Sequence, residues 1–203
     1  MRRRRVLLTT AVIIVFGAVL GLWRWWPPSD TTQAGLKAAI VRYDLAWASS
    51  SVRPAQLVGK KLTPADKKML QQAWLDRLEA AASGQALNES RDFDYTAAFA
   101  SAEWHTSQGT RELINCSGTL IYWDFLHRKP DGSVLVRAGV AVHFKEIVWN
   151  PDQHKAISQE DWAPCIAVQD YTLKKIDGTW KVTATKYWRW YDPATKALFT
   201  GAP

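Results

Sequence analysis

The chain has 203 residues, 47% of them hydrophobic and 22% charged, with a formal net charge of +7 and two cysteines. That balance is ordinary for a folded globular protein and excludes the disordered, collagen-like and disulfide-scaffold classes. Setting the first 30 residues aside leaves about 170, enough for one domain with a sizeable core.

The N-terminus reads as a membrane anchor. Met1 to Arg5, "MRRRR", precede "VLLTTAVIIVFGAVLGLWRWW" (residues 6–26), whose first part carries no charge. A run of this length crosses a hydrocarbon core of about 30 Å as a helix. Four arginines before the span and only Arg24 at its far end put the N-terminus in the cytoplasm. Trp23, Trp25 and Trp26 suit the outer interface, and Pro27-Pro28 stop the helix. A cleaved signal peptide would need a small-x-small site after the apolar run, and "GLWRWWPPSD" is bulky throughout. The expected organisation is a basic tip and anchor over 1–28, a linker over 29–34 and an extracytoplasmic domain over 35–203. Five of the 26 basic residues flank the span and serve insertion, leaving a charge of +2 for the rest. The basic pI therefore gives no case for nucleic acid as a partner. Outside the cytoplasm Cys116 and Cys165 could pair, closing a loop worth roughly 4 kcal/mol, or remain buried free thiols.

Beyond the linker, Leu36, Ile40, Tyr43 and Trp47 recur at helical spacing and predict a first helix ending near "SSSVRP". Thr63, Pro64 and Asp66 mark the start of a second, through an N-cap, a proline at the first position and an acid three residues after the cap. Its stripe is Leu70, Trp74 and Leu78 beside Met69 and Ala73, with Gly84 as the expected C-cap. The segment 91–104 fits either a short helix or an edge strand.

The period then changes to that of strands. "ELINCSGTLIYWDF" (112–125) is β-rich, and Gly118 within it suggests a bulge or bend. "RKPDGS" is a turn, and the strand beginning at Val134 carries Val136, Ala138, Val140, Val142 and Phe144 on one face, against Arg137, His143 and Lys145 on the other. A third strand is expected over about 165–176 and, after Asp177-Gly178, a fourth from Trp180 to Tyr191. Simple alternation in the fourth puts Trp180, Val182, Ala184, Trp188 and Trp190 on the core side. Tyr187, Arg189 and Tyr191 then line up on the opposite face as candidate partner-binding residues. Helices followed by consecutive antiparallel strands predict an α+β domain with helices packed on one face of a curved sheet.

The stripe "LKAAIVRYDLAW" and the closing "YTLKKIDGTWKVTATKYW" resemble the nuclear transport factor 2-like domains, a cystatin-like cone of helices around a bent sheet, over residues 34–191. The resemblance implies a pocket between helices and sheet, which in catalytic members holds an Asp–His or Asp–Tyr pair. Candidate ligand-binding residues are therefore Tyr43, Asp44 and Trp47 on the first helix, with Asp92 and Asp94 beyond the second. It also implies company in the bacterial envelope, where membrane-anchored relatives include assembly components of secretion machines, and such domains often dimerise through the sheet.

No spacing links these acids to His105, His127, His143 or His154, of which all but His143 fall in or beside predicted turns. Nucleophile-elbow, phosphate-loop and metal-helix motifs are absent from the sequence, and the two cysteines lack zinc-site spacing. No catalytic residue, cofactor or metal is therefore expected. The sequence supports a membrane-anchored extracytoplasmic binding or assembly module, with a protein partner or a second copy of itself. The alternative is an enzyme or small-ligand-binding protein that uses the pocket.

Overall fold

A computed structural model describes residues 27–92, 103–106, 109–150, 155–162, 166–192 and 197–199. The expected anchor over 6–26, together with Asp94, His154 and Cys165, lies outside the described residues. Among the described residues no helix is long and apolar enough to cross a membrane.

Among the described residues three helices come first: α1 (Asp30–Ala48), α2 (Pro64–Ala81) and α3 (Gly84–Arg91). Helix α1 starts inside the expected linker, because Ser29 and Thr32 join hydroxyls at 3.1 Å and the Gln33 amide donates to the Pro28 carbonyl at 2.9 Å. Its buried residues are Leu36, Ala39, Ile40, Tyr43 and Ala46, in keeping with the predicted stripe. Helix α2 opens on a full capping box: Asp66 N–H donates to Thr63 Oγ1 at 3.2 Å, and Thr63 N–H to Asp66 Oδ2 at 2.9 Å. Leu70, Trp74 and Leu78 are buried as expected, whereas Met69 is half exposed. Gly84 does not end α2. The helix stops at Ala81, and Gly84 begins α3, a helix the periodicity did not reveal.

The strands are β1 (Glu103–Thr106), β2 (Gly109–Arg128), β3 (Val134–Asn150), β4 (Lys155–Trp162), β5 (Ile166–Ile176), β6 (Thr179–Asp192) and β7 (Ala197–Phe199). They form one seven-stranded sheet in the order β1-β2-β3-β5-β6-β7, every pairing antiparallel. Strand β3 is long enough to serve two neighbours on one side: Val134 to Gly139 pair with β5, and Phe144 to Asn150 pair with β4. The fold class is therefore α+β, with α1 lying across β2, β3 and β6, and α3 against β6. Between them sits one core that includes Leu36, Ile40, Trp74, Leu78, Val136, Leu173 and Val182, these seven at most 1% exposed. Each such side chain stabilises the fold by about 1.5–3 kcal/mol through area removed from water.

Turn chemistry agrees with the sequence. Asp177 and Gly178 have φ of 48° and 79°, the paired positive values that a type I′ hairpin requires. Gly118, in contrast, marks no bulge, since it pairs in register with Val142 while the β2 irregularities fall elsewhere. It is the contact point of α1: a Cβ there would lie 3.2 Å from Leu45 Cγ and Cδ2 and 3.3 Å from Val140 Cγ1. Gly118→Ala is therefore expected to lower stability by about 1 kcal/mol and Gly118→Val by about 2–3 kcal/mol, read by urea denaturation. Equal stability in all three would mean that α1 does not rest on this strand.

Two bulges in β6 overturn the simple alternation expected there. The register skips Thr183 and again Trp188, and each skipped residue flips the faces that follow. Val182 is fully buried on the helix side, Thr185 and Tyr187 share that side with Tyr171 and Gln169, and Trp188 stands on the outer side. There the Arg137 guanidinium lies 3.7 Å from the Trp188 ring centre while binding Asp170 at 2.6 Å. Tyr122, 6.5 Å from Trp188 and 6.2 Å from Tyr191, completes a small outer cluster with Ile166 and Val168.

Candidate functional site

The first helix brings Tyr43, Asp44 and Trp47 to one side, where they meet β3, β5 and β6 around a pocket of about 460 Å³. The floor is apolar, made by Val140, Val142 and Phe144 of β3 and Ala167 of β5. Gln169 and Thr185 add polar groups from the sheet, and Glu89 from α3 stands at the edge. A cavity of this size with a few convergent polar groups is the usual form of a small-molecule site.

Asp44 is the centre of its chemistry. The Tyr171 hydroxyl donates to Asp44 Oδ2 at 2.8 Å, and Tyr171 is fully buried behind the pocket wall. Burial pushes the Asp44 carboxyl up to about 7, against the smaller downward pull of the Tyr171 hydrogen bond. Some of the residue's surface is still open to the pocket, so solvent tempers that shift without removing its cause. Burial and the neighbouring Asp44 charge hold Tyr171 well above the usual phenol range, so it remains a donor. The arrangement is a carboxyl that exchanges its proton near neutrality while a fixed phenol orients it.

The aromatic frame keeps the dyad in place. Tyr43 meets Tyr171 edge-on at 6.4 Å between ring centres, and Trp47 meets Trp74 likewise at 5.6 Å. Trp47 Nε1 donates to the Tyr43 hydroxyl at 2.8 Å, and the same hydroxyl reaches the Thr185 and Ser90 side chains. Burial raises Tyr43 above its ordinary value.

Three of the five candidates named from sequence, Tyr43, Asp44 and Trp47, thus share the pocket. Asp92 does not join them: it is exposed at the C-terminal end of α3. The proposed partner-binding row is corrected as well. Tyr187, half exposed, lies on the helix side, whereas Arg189 and Tyr191 lie on the outer side, so the three share no face. Cys116 is a free thiol, pushed up by burial, in a second cavity beside Arg42 and Arg77. His127 lies at the end of β2, beside the turn that follows it, and His143 stays on the strand face opposite the core. Sequence reading missed Tyr171, Gln169, Thr185 and Glu89. Of these, Tyr171 was the most findable, as a phenol on the same strand phase as Leu173. Among the described residues no group of three or more metal-ligating side chains comes together.

No family model matches this chain, and no curated protein does. Among solved structures it is similar to the intermembrane-space region of the chloroplast protein ARC6, at 13% identity and a TM-score of 0.35, over 79% of this chain and 98% of that one. A likeness this slight says nothing about what the present chain does.

Proposed function

We propose that this protein is a membrane-anchored, extracytoplasmic module that binds a small molecule in the pocket between its helices and its sheet. The observation that carries the reading is Asp44, held by Tyr171 in a largely apolar cavity of about 460 Å³. The charge asymmetry around residues 6–26 supports the anchor and its orientation. The three helices over an antiparallel sheet are in keeping with a nuclear transport factor 2-like domain.

A specific observation also favours a catalytic version of the same pocket. A carboxyl that titrates at about 7 beside a phenol at 2.8 Å has the proton affinity and the reach of a general acid–base. The two readings share a site and differ in what happens to the ligand.

Both are tested by purifying the full chain in mild detergent and identifying small molecules that copurify. Ala48→Trp, which fills the pocket from the end of α1, serves as the control. A compound carried by the native chain and lost from the variant is the expected result; its recovery unchanged after incubation means binding, and its conversion means catalysis. Identical extracts from the two proteins would contradict the pocket reading. Protease added to spheroplasts, stripped of any outer membrane, is expected to degrade the domain, and its protection there until the cells are lysed would contradict the orientation.

A further inference from the structure

The ligand's chemical class can be read from what surrounds the pocket. Of the described residues that line it, two are acidic, Asp44 and Glu89, and none is Lys, Arg or His. Glu89 accepts one hydrogen bond, from the Gln85 amide at 2.7 Å, and it carries no ion pair there. Asp44 takes its hydrogen bond from a neutral phenol, and among the described residues no cation offsets the carboxylate it forms when it ionises. A buried carboxylate without a counter-charge is costly, which makes this a position where an incoming charge gains most.

The walls add the second half of the recognition. Tyr43, Trp47 and Phe144 border the same space, and aromatic faces attract organic cations through the ring quadrupole. Val140 and Val142 give an apolar seat for a hydrocarbon body. An anionic ligand would meet two carboxyls and no cation. A neutral one would leave Asp44 as it stands.

Resting on the pocket reading above, we propose that the ligand is a small organic monocation, an amine or quaternary ammonium on a compact apolar body. Its charged head sits against Asp44, its body lies on Val140 and Val142, and Glu89 draws it in from the edge. Binding then holds Asp44 as the carboxylate, with the ligand supplying the partner that the protein omits.

The test uses the full chain in a non-ionic detergent at pH 8, with three probes of one shape: cyclohexylmethylamine, cyclohexylmethanol and cyclohexanecarboxylate. Binding is followed at the indole N–H resonance of Trp47, assigned with Trp47→Phe. The amine is expected to bind roughly 30-fold more tightly than the alcohol, and the carboxylate more weakly than either. Asp44→Asn should bring amine and alcohol to within about threefold, and Glu89→Gln should weaken the amine by about threefold with the alcohol unchanged. An alcohol that binds as well as the amine, or an amine preference that survives in Asp44→Asn, would overturn the cation proposal and leave the pocket reading standing. If no probe moves the Trp47 resonance, both fail.

Discussion

Asp44→Asn is expected to make the protein more stable at pH 8 and to leave its stability nearly unchanged at pH 3. In the folded chain the carboxyl titrates at about 7, against 3.8 for the ordinary side chain. Below 3.8 both folded and unfolded chains hold the proton, and the full stability is present. As the pH rises from there the unfolded chain releases a proton that the folded one keeps, so stability is lost until the pH passes about 7. The loss from this one group is about 2–4 kcal/mol, the lower end reflecting solvent that reaches Asp44 through the pocket. Asparagine cannot ionise, and its amide oxygen still accepts from Tyr171. Other carboxyls act in the opposite sense, since hydrogen bonds from Thr63 and from Ser133 hold Asp66 and Asp131 below their ordinary values. The informative quantity is therefore the difference between native and variant at each pH, measured by chemical denaturation. A difference that does not grow between pH 4 and pH 8 would mean that the carboxyl is not held in an apolar setting.

Glu112→Gln is expected to be among the most damaging single substitutions, although it changes no shape. Arg53 Nη1 lies 2.7 Å from Glu112 Oε1, with both side chains at most 4% exposed. The pair fastens the link between α1 and α2 onto β2: Gly59 N–H donates to Glu112 Oε2 at 2.7 Å, Arg53 N–H to the Leu113 carbonyl at 2.7 Å, and Arg53 Nη1 to the Lys60 carbonyl at 2.9 Å. Removing the negative charge takes a close counter-charge from a buried guanidinium, a loss of about 3–5 kcal/mol and roughly 10 °C in melting temperature. The double variant Arg53→Met with Glu112→Leu should recover most of it, because two apolar groups need no counter-charge. A single variant as stable as the native chain would show that the link is held by other contacts.

Helix phase and turn chemistry were legible in the sequence. The Leu36, Ile40, Tyr43 stripe, the Thr63–Asp66 cap and the Asp177-Gly178 turn each depend on a few neighbouring residues, and each is found as read. The even-numbered face of β3 was equally legible, since β3 keeps a simple alternation from Val134 to Phe144. What failed depends on distant partners. Bulges at Thr183 and Trp188 are set by how β6 registers on β5, so Thr185 moved into the pocket and Trp188 out of the core. Strand β4 and helix α3 lacked a periodic apolar stripe of their own. Half of the dyad was visible as Asp44, whereas Tyr171 stands 127 positions away and no local pattern joins the two.

The site itself stands or falls on whether Asp44 is an acid held near neutrality by burial and by Tyr171. A carboxyl carbon titration of Asp44 by NMR in the full chain, assigned with Asp44→Asn, tests this most directly. The expected midpoint is about 7 in the native protein and higher in Tyr171→Phe, because the lost hydrogen bond is the one force that lowers it. A midpoint near 3.8 in the native chain, unmoved by Tyr171→Phe, would contradict it.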